Sequence, residues 1–219
     1  METERLHFVK LGPASYISHL DTYRAMMRAI MRSGVRVWFT EGFNSHMFIS
    51  FPLPLPLGIE STCEVCDIKL LDEYDHYLDL KINPFLPKGI EIFNVTTPVM
   101  KTAEIASARY LIELDDRTVP REKISEDLLS MLSSGSIPIR KKSKAGREKL
   151  INASEKISAY SIIDTEEKVL LEMTCDAGSS SNLNPAAVIS ELEARLGRQL
   201  DHVRITRTGI MTRDMAEFA

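Results

Sequence analysis

A small set of residues near the start of the chain carries groups suited to binding and proton exchange: His19, Asp21, Arg24, Arg28, Phe43, Asn44, His46 and, further on, Glu64. Imidazoles change charge near neutral pH, and guanidinium forks grip a carboxylate or phosphate through paired hydrogen bonds. Phe43 adds an aromatic face and Asn44 an amide within the loop Glu41-Gly42-Phe43-Asn44-Ser45-His46. Together these residues describe a polar pocket for an anionic ligand. His19 and His46 are its candidate catalytic groups, and Asp21, Arg24, Arg28, Phe43, Asn44 and Glu64 its candidate ligand-binding groups. A plainer reading stands beside it: Asp21 caps a helix and pairs with Arg24 or Arg28, while His46 bonds the backbone of its own loop. The histidines do not form a helical H-x-x-x-H or another compact ligand pattern, so no metal is expected.

A second group lies past the middle of the chain, where Arg140, Lys141, Lys142, Lys144 and Arg147 crowd together with one acid, Glu148. Clustered cations of this kind suit a nucleic-acid backbone, with a solvated loop as the competing reading. Cys63 and Cys66 form a C-x-x-C, but their neighbours alternate as a strand does, which sends residues three apart to opposite faces. A metal or redox role is therefore not expected of them.

The elements that position these groups follow from capping and periodicity. Ser18 is a good N-cap with Asp21 three residues on, and Gly34 is the expected stop, giving a helix from His19 to Ser33. On its wheel Leu20, Tyr23, Met26, Met27, Ile30 and Met31 share an arc, with Arg24, Arg28 and Arg32 along its edge. Strands are expected at 6–10, 35–39, 48–51, 63–71 and 90–96, and a second helix at 73–83, stopped by Pro84 and Pro87. Pro52, Pro54 and Pro56 alternate with Leu53, Leu55 and Leu57 in a segment that must be extended. After a linker at 97–107 come a strand at 110–114, a helix at 121–132, a strand at 137–140, a hairpin at 156–163 and 168–174, a helix from Pro185 to Leu196 capped by Asn184, and a last strand at 203–207.

The order predicts an α+β chain of two ferredoxin-like β-α-β-β-α-β units, the second with an added strand. Residues 1–100 form the first domain, which carries the candidate pocket, and 104–219 the second. At 219 residues, with 44% hydrophobic and 26% charged, the chain is long enough for two cores. A net charge of −4 excludes nucleic-acid binding by bulk charge and leaves only a local basic stripe. Three cysteines fit a reducing compartment. No stretch approaches the eighteen or so apolar residues needed to span a bilayer, so a cytoplasmic location without membrane contact is expected. The oligomeric state is not fixed by the sequence.

The pattern Ser18-His19-Leu20-Asp21, Arg24, Arg28-Ala29, Glu41-Gly42-Phe43-Asn44, His46, Ile49-Ser50-Phe51, Leu55-Pro56-Leu57-Gly58, and Ser61 with Glu64 resembles a family of bacterial proteins known as radical-SAM-linked or radical-SAM-associated. The resemblance covers roughly the first 70 residues and thereafter only the order of elements. Members of that family occur alone or as a C-terminal extension of a radical SAM protein with a cobalamin-binding domain, and by length this chain resembles the stand-alone form. The resemblance implies a radical SAM partner and no iron–sulfur chemistry or cofactor of the chain's own, because no C-x-x-x-C-x-x-C pattern is present. Ser45 and Met47-Phe48 depart from the family's proline and proline-lysine, which removes a cation from the candidate pocket. The expected function is an accessory substrate-recognition module, RNA-binding, for a radical SAM or RNA-processing partner. Two alternatives remain open: an enzyme acting on a phosphate-containing substrate through His19 and His46, metal-free or metal-assisted, and a protein-interaction adaptor docking through the Leu53 to Leu57 strip.

Overall fold

The computed structural model describes residues 2–72, 77–142, 148–178 and 180–218. The chain divides into two compact units, Met1–Ile105 with Ala216–Ala219, and Ala106–Met215.

In the first unit, strand β1 (Thr3–Lys10) leads to helix α1 (His19–Ser33), a two-residue strand β2 (Ile49–Ser50), strand β3 (Glu60–Lys69), the short helix α2 (Leu78–Ile82) and strand β4 (Ile90–Thr96). The strands lie in the order β4-β1-β3-β2, all antiparallel. Alternation sends Leu6 and Phe8 of β1 and Cys66 and Ile68 of β3 to one face, where they form a core with Met26, Ala29 and Ile30 of α1 and Leu78 and Ile82 of α2. Cys66 is buried there, whereas Cys63, three residues earlier on the strand, is only half-buried.

Ser18 caps α1 through its hydroxyl, and Gly34 closes the helix in the left-handed region at φ 76°. The buried face of the helix is Thr22, Met26, Ala29 and Ile30, while Leu20 and Met31 stay exposed. This face is rotated from the arc predicted by hydrophobicity because Thr22 and Ala29, both small, let the helix approach the sheet. The Thr22 hydroxyl returns its hydrogen bond to the Ser18 carbonyl at 3.0 Å.

The expected second strand at 35–39 reduces to single bridges, Val37 with Leu70 and Phe39 with Met47. The expected helix at 73–83 is observed as Leu78–Ile82, and its first residues lie outside those described. It stops where Asn83 clamps the Ile92 backbone, donating to the carbonyl and accepting from the amide at 2.8 Å each. Two of the leucines in the proline-rich strip, Leu53 and Leu55, turn inward, and only Leu57 is exposed. The three leucines of the strip therefore do not form one exposed apolar face.

In the second unit, strand β5 (Ile105–Asp115) is followed by helix α3 (Arg121–Ser133), strands β6 (Pro138–Lys142), β7 (Glu148–Asn152), β8 (Ile157–Asp164) and β9 (Val169–Asp176), helix α4 (Pro185–Leu196) and strand β10 (His202–Thr212). Its sheet runs β10-β5-β9-β8. The expected single added strand is a hairpin, because β6 pairs with β7 in a separate two-stranded sheet. The expected linker at 97–107 is shorter as well: Thr102–Glu104 form a turn of 3-10 helix and β5 begins at Ile105. The core of this unit joins Ile124, Leu128 and Met131 of α3 and Val188 and Leu192 of α4 to Tyr110, Ile112, Leu171 and Met173 of the sheet, all buried. Among the described residues no helix is long and apolar enough to cross a membrane.

Candidate functional site

The end of β1 and the first turn of α1 bring ionisable and aromatic groups together. Lys10 and Glu64 are only 1% and 3% exposed. They lie on the same face of the sheet as the core because they continue the even-numbered alternation of Leu6-Phe8 and of Cys66-Ile68. Glu64 pairs in register with Phe8, and Lys10 with the buried Ser61 across a bulge. The Lys10 ammonium donates to the Ile17 carbonyl at 3.0 Å, which ties the strand to the turn that launches the helix.

His19 opens α1 above this pair. Its ring meets Phe51 edge-on at 5.2 Å, and Phe51 in turn packs edge-on against Phe8 at 6.1 Å and at a tilt against Tyr23 at 6.3 Å. Desolvation lowers the imidazole's pKa; the Glu64 carboxylate works against that shift and the Lys10 ammonium adds to it. At neutral pH the ring is therefore uncharged, with one nitrogen able to accept a proton.

The turn beneath is fixed by backbone geometry. Gly89 has φ +93° and a Cβ there would lie 2.2 Å from the Leu11 carbonyl oxygen, whose amide receives support from Gly89 by donating to its carbonyl at 2.7 Å. Gly12 donates its N–H to Glu60 Oε1 at 2.8 Å, and Gly58 donates to the Ser15 carbonyl at 2.9 Å. Lys10 is thus held at the floor of a closed turn.

The remaining residues expected in the pocket make their contacts locally. Asp21 is exposed and accepts from the Ser18 hydroxyl at 2.7 Å, and Arg24 reaches it at 3.3 Å. The Ser18 hydrogen bond, with Arg24 and Arg28 nearby, keeps the Asp21 carboxyl below its usual range. Arg28 is exposed on the same helix. In the loop, His46 Nδ1 lies 3.0 Å from the Asn44 carbonyl and 3.1 Å from Thr40 Oγ1, and the Thr40 and His46 backbones close on each other at 2.8 Å. Phe43 is fully exposed. His19 therefore belongs with Phe51, Lys10 and Glu64, and His46 with Thr40 and Asn44. Lys10 and Phe51 were missed as site residues in the sequence, although the inward alternation of Leu6 and Phe8 carries the signal for Lys10.

In the second unit, the hairpin β6–β7 holds the basic run. Its register sets Arg140 opposite Leu150, Lys141 opposite Lys149 and Lys142 opposite Glu148. Arg140 is exposed, and Lys144 and Arg147 lie outside the described residues. Burial pushes the Cys175 thiol up to about 12 and raises that of Cys66 as well, so neither is a thiolate at neutral pH. Among the described residues no cluster of histidine, cysteine and carboxylates could hold a metal ion.

A family model described as an uncharacterized protein conserved in bacteria (DUF2344) matches residues 4–185. The chain belongs to that family. The match runs from Glu4 within β1 through β4, taking in Lys10, His19 and Glu64, and into the second unit as far as the start of α4. No curated protein matches the chain. Among solved structures it is similar to a crystal structure of a Cbf5-Nop10-Gar1 complex, at 11% identity and a TM-score of 0.49, over 94% of this chain and 48% of that one. It is also similar to the archaeal box H/ACA sRNP Nop10-Cbf5 complex, at 11% identity and a TM-score of 0.43, over 93% and 46%. A third likeness is to an unknown protein from Galdieria sulphuraria, at 11% identity and a TM-score of 0.27, over 94% and 96%. The chain spans about half the length of the first two.

Proposed function

We propose that this chain is an RNA-recognition module built on two ferredoxin-like units, and that it works beside a radical SAM protein. The observation that carries the reading is the register of the inserted hairpin. It sets Lys141 directly across the ladder from Lys149 within a run that also contains Arg140, Lys142, Lys144 and Arg147. Like charges at facing positions of a ladder are unfavourable by themselves, and a phosphate backbone converts that cost into attraction. The hairpin forms a sheet of its own, apart from the β10-β5-β9-β8 sheet, and Arg140 in it is exposed. The sheet order in each unit places the first and third strands of a β-α-β-β-α-β run at the centre, which supports the ferredoxin-like reading. The radical SAM partner follows from the family resemblance of the first 70 residues.

The test is fluorescence anisotropy of the full chain against labelled single-stranded RNA at two salt concentrations. A variant with Arg140, Lys141, Lys142, Lys144 and Arg147 all changed to alanine is compared. The expected result is a log–log salt slope that falls by about 0.7 for each phosphate contact removed. Equal affinity and equal slope in the two proteins would remove the hairpin from the reading. Co-elution with a purified radical SAM protein carrying a cobalamin-binding domain tests the partner separately.

A second reading is favoured by the neutral His19 above buried Lys10 and Glu64. On this reading the chain is an enzyme, metal-free or metal-assisted, that acts on a phosphate-containing substrate, and His19 or His46 moves its proton. Cleavage of a dinucleotide that is lost in His19→Ala or His46→Ala would favour it over the recognition module.

A further inference from the structure

The strand β8 ends the β10-β5-β9-β8 path, and it is bare in a way that edge strands usually are not. Natural edges are blunted by lysines, prolines, bulges or short length. From Ile157 to Ile163 the strand reads Ile-Ser-Ala-Tyr-Ser-Ile-Ile, with no charge and no proline. Its one irregularity is a register shift between Ile157 and Ala159. Tyr160 and Ile163 are exposed. A β-prone, uncharged run of this length is an aggregation hazard if nothing covers it.

The surroundings of the strand say what would cover it. On the helix side a groove of about 330 Å³ runs between α3 and β8, lined by Ser125, Leu129, Tyr160, Ile162 and Asp164. A second, smaller hollow of about 160 Å³ lies along β8 and β9, where Arg109, Ala159, Ser161, Glu172 and Thr174 line it. Tyr160 and Ser161 border both hollows. A strand laid along an edge sends successive side chains to opposite faces, so two hollows meeting at Tyr160 and Ser161, one beside Leu129 and Ile162 and the other bordered by Arg109 and Glu172, suit two neighbouring residues of an added strand. The far end of β8 is acidic: Asp164, partly met by Arg121 at 3.8 Å, is followed by exposed Glu166 and Glu167.

We propose that β8 is a docking edge for an extended peptide of a partner protein, which adds a strand to the sheet. The peptide carries a large apolar residue for the Leu129 groove, a polar neighbour for the Arg109 and Glu172 hollow, and a lysine or arginine beside Asp164, Glu166 and Glu167. This surface is distinct from the basic hairpin, and its occupant is a protein segment of opposite charge to RNA.

The test is selection of random octapeptides displayed on phage against the full chain, followed by hydrogen exchange with the enriched peptides made synthetically. The expected result is enrichment of an apolar-polar alternation ending in a basic residue, and slowed exchange of the 157–164 amides. Leu129→Lys, a change at an exposed position, should weaken binding at least tenfold. N-methylation of alternate peptide amides should abolish it, and single-stranded RNA should not compete. No enrichment, protection of another segment, or equal binding to Leu129→Lys would overturn the proposal. So would sedimentation showing that a second copy of the chain already occupies β8.

Discussion

Arg5 and Asp67 face each other across β1 and β3 in a two-pronged ion pair, Nε to Oδ1 at 2.7 Å and Nη2 to Oδ2 at 2.9 Å. The guanidinium is 1% exposed. The Phe218 ring covers it at 4.4 Å, and the Met100 carbonyl accepts a further bond at 3.2 Å. The last residues of the chain therefore return to the first unit, and the charge they cover sits on the sheet face opposite Leu6 and Phe8.

Removing one partner of a buried pair costs more than the pair itself is worth, because the other charge stays buried without its counter-ion. Asp67→Ala is expected to destabilise the first unit by about 3–5 kcal/mol. Phe218→Ala is expected to cost less, since it opens the pair to water without breaking it. Urea unfolding of the three proteins measures both. A loss under about 1 kcal/mol for Asp67→Ala would mean that the guanidinium finds solvent more readily than its burial indicates.

Glu4 supplies a pH dependence. Its carboxylate oxygens are buried and have no hydrogen-bond partner among the described residues, and burial, helped by Glu2, raises its pKa from 4.5 to about 7. A carboxyl that is raised on folding binds its proton more tightly in the folded chain. The penalty is therefore absent below the unfolded pKa, grows as pH rises from 4.5, and is complete above 7. The urea midpoint is expected to fall between pH 5 and pH 8, and Glu4→Gln should flatten that fall. An unchanged slope in Glu4→Gln would assign the pH dependence to other groups.

Gly89 tests the turn under Lys10. An added Cβ would meet a backbone oxygen that cannot rotate away, and the left-handed φ adds its own strain, so Gly89→Ala should cost at least about 2 kcal/mol. Gly34, also left-handed but with nothing among the described residues within 4 Å of a Cβ, should cost only about 1 kcal/mol on the same change. Thermal unfolding of the two variants side by side decides whether the close approach to Leu11 matters beyond φ.

Helix α1 was legible to the residue because both of its ends are written in local chemistry, the Ser18 cap and the Gly34 stop, and α4 likewise through Asn184 and Gly197. The face that α1 buries was not legible, since a hydrophobic arc ignores the small residues that decide how closely a helix approaches a sheet. The stretch from Val35 to Phe39 has the composition of a strand yet makes only isolated bridges, because pairing depends on partners far away in the sequence. For the site, the limit is softer: His19 and Glu64 were recognisable by type, and Lys10 by the alternation of Leu6 and Phe8, but its place opposite Ser61 came only from the register of β1 against β3. His46 and Asn44 lie two residues apart in the sequence, and the His46 ring bonds the Asn44 carbonyl, which is the kind of contact that spacing alone can suggest.

The first turn of α1 separates scaffold from ligand binding, because its groups differ in what they support. Ser18 accepts from the Asp21 amide at 3.1 Å and donates to its carboxylate at 2.7 Å, so Ser18→Ala should cost about 1 kcal/mol of stability, as N-caps do. The Asp21–Arg24 pair is exposed on both sides, and such pairs contribute about 0–1 kcal/mol, so Arg24→Ala and Arg28→Ala should leave the unfolding midpoint nearly unchanged. If these arginines hold an anion, each should instead weaken binding by about 1.5–3 kcal/mol, the range for hydrogen bonds to charged groups. Anisotropy with single-stranded RNA and with inorganic phosphate as competitor, run beside thermal unfolding on the same three variants, reads both quantities. Stability that drops in Arg28→Ala while RNA affinity holds would leave the helix as scaffold and move recognition to the hairpin alone.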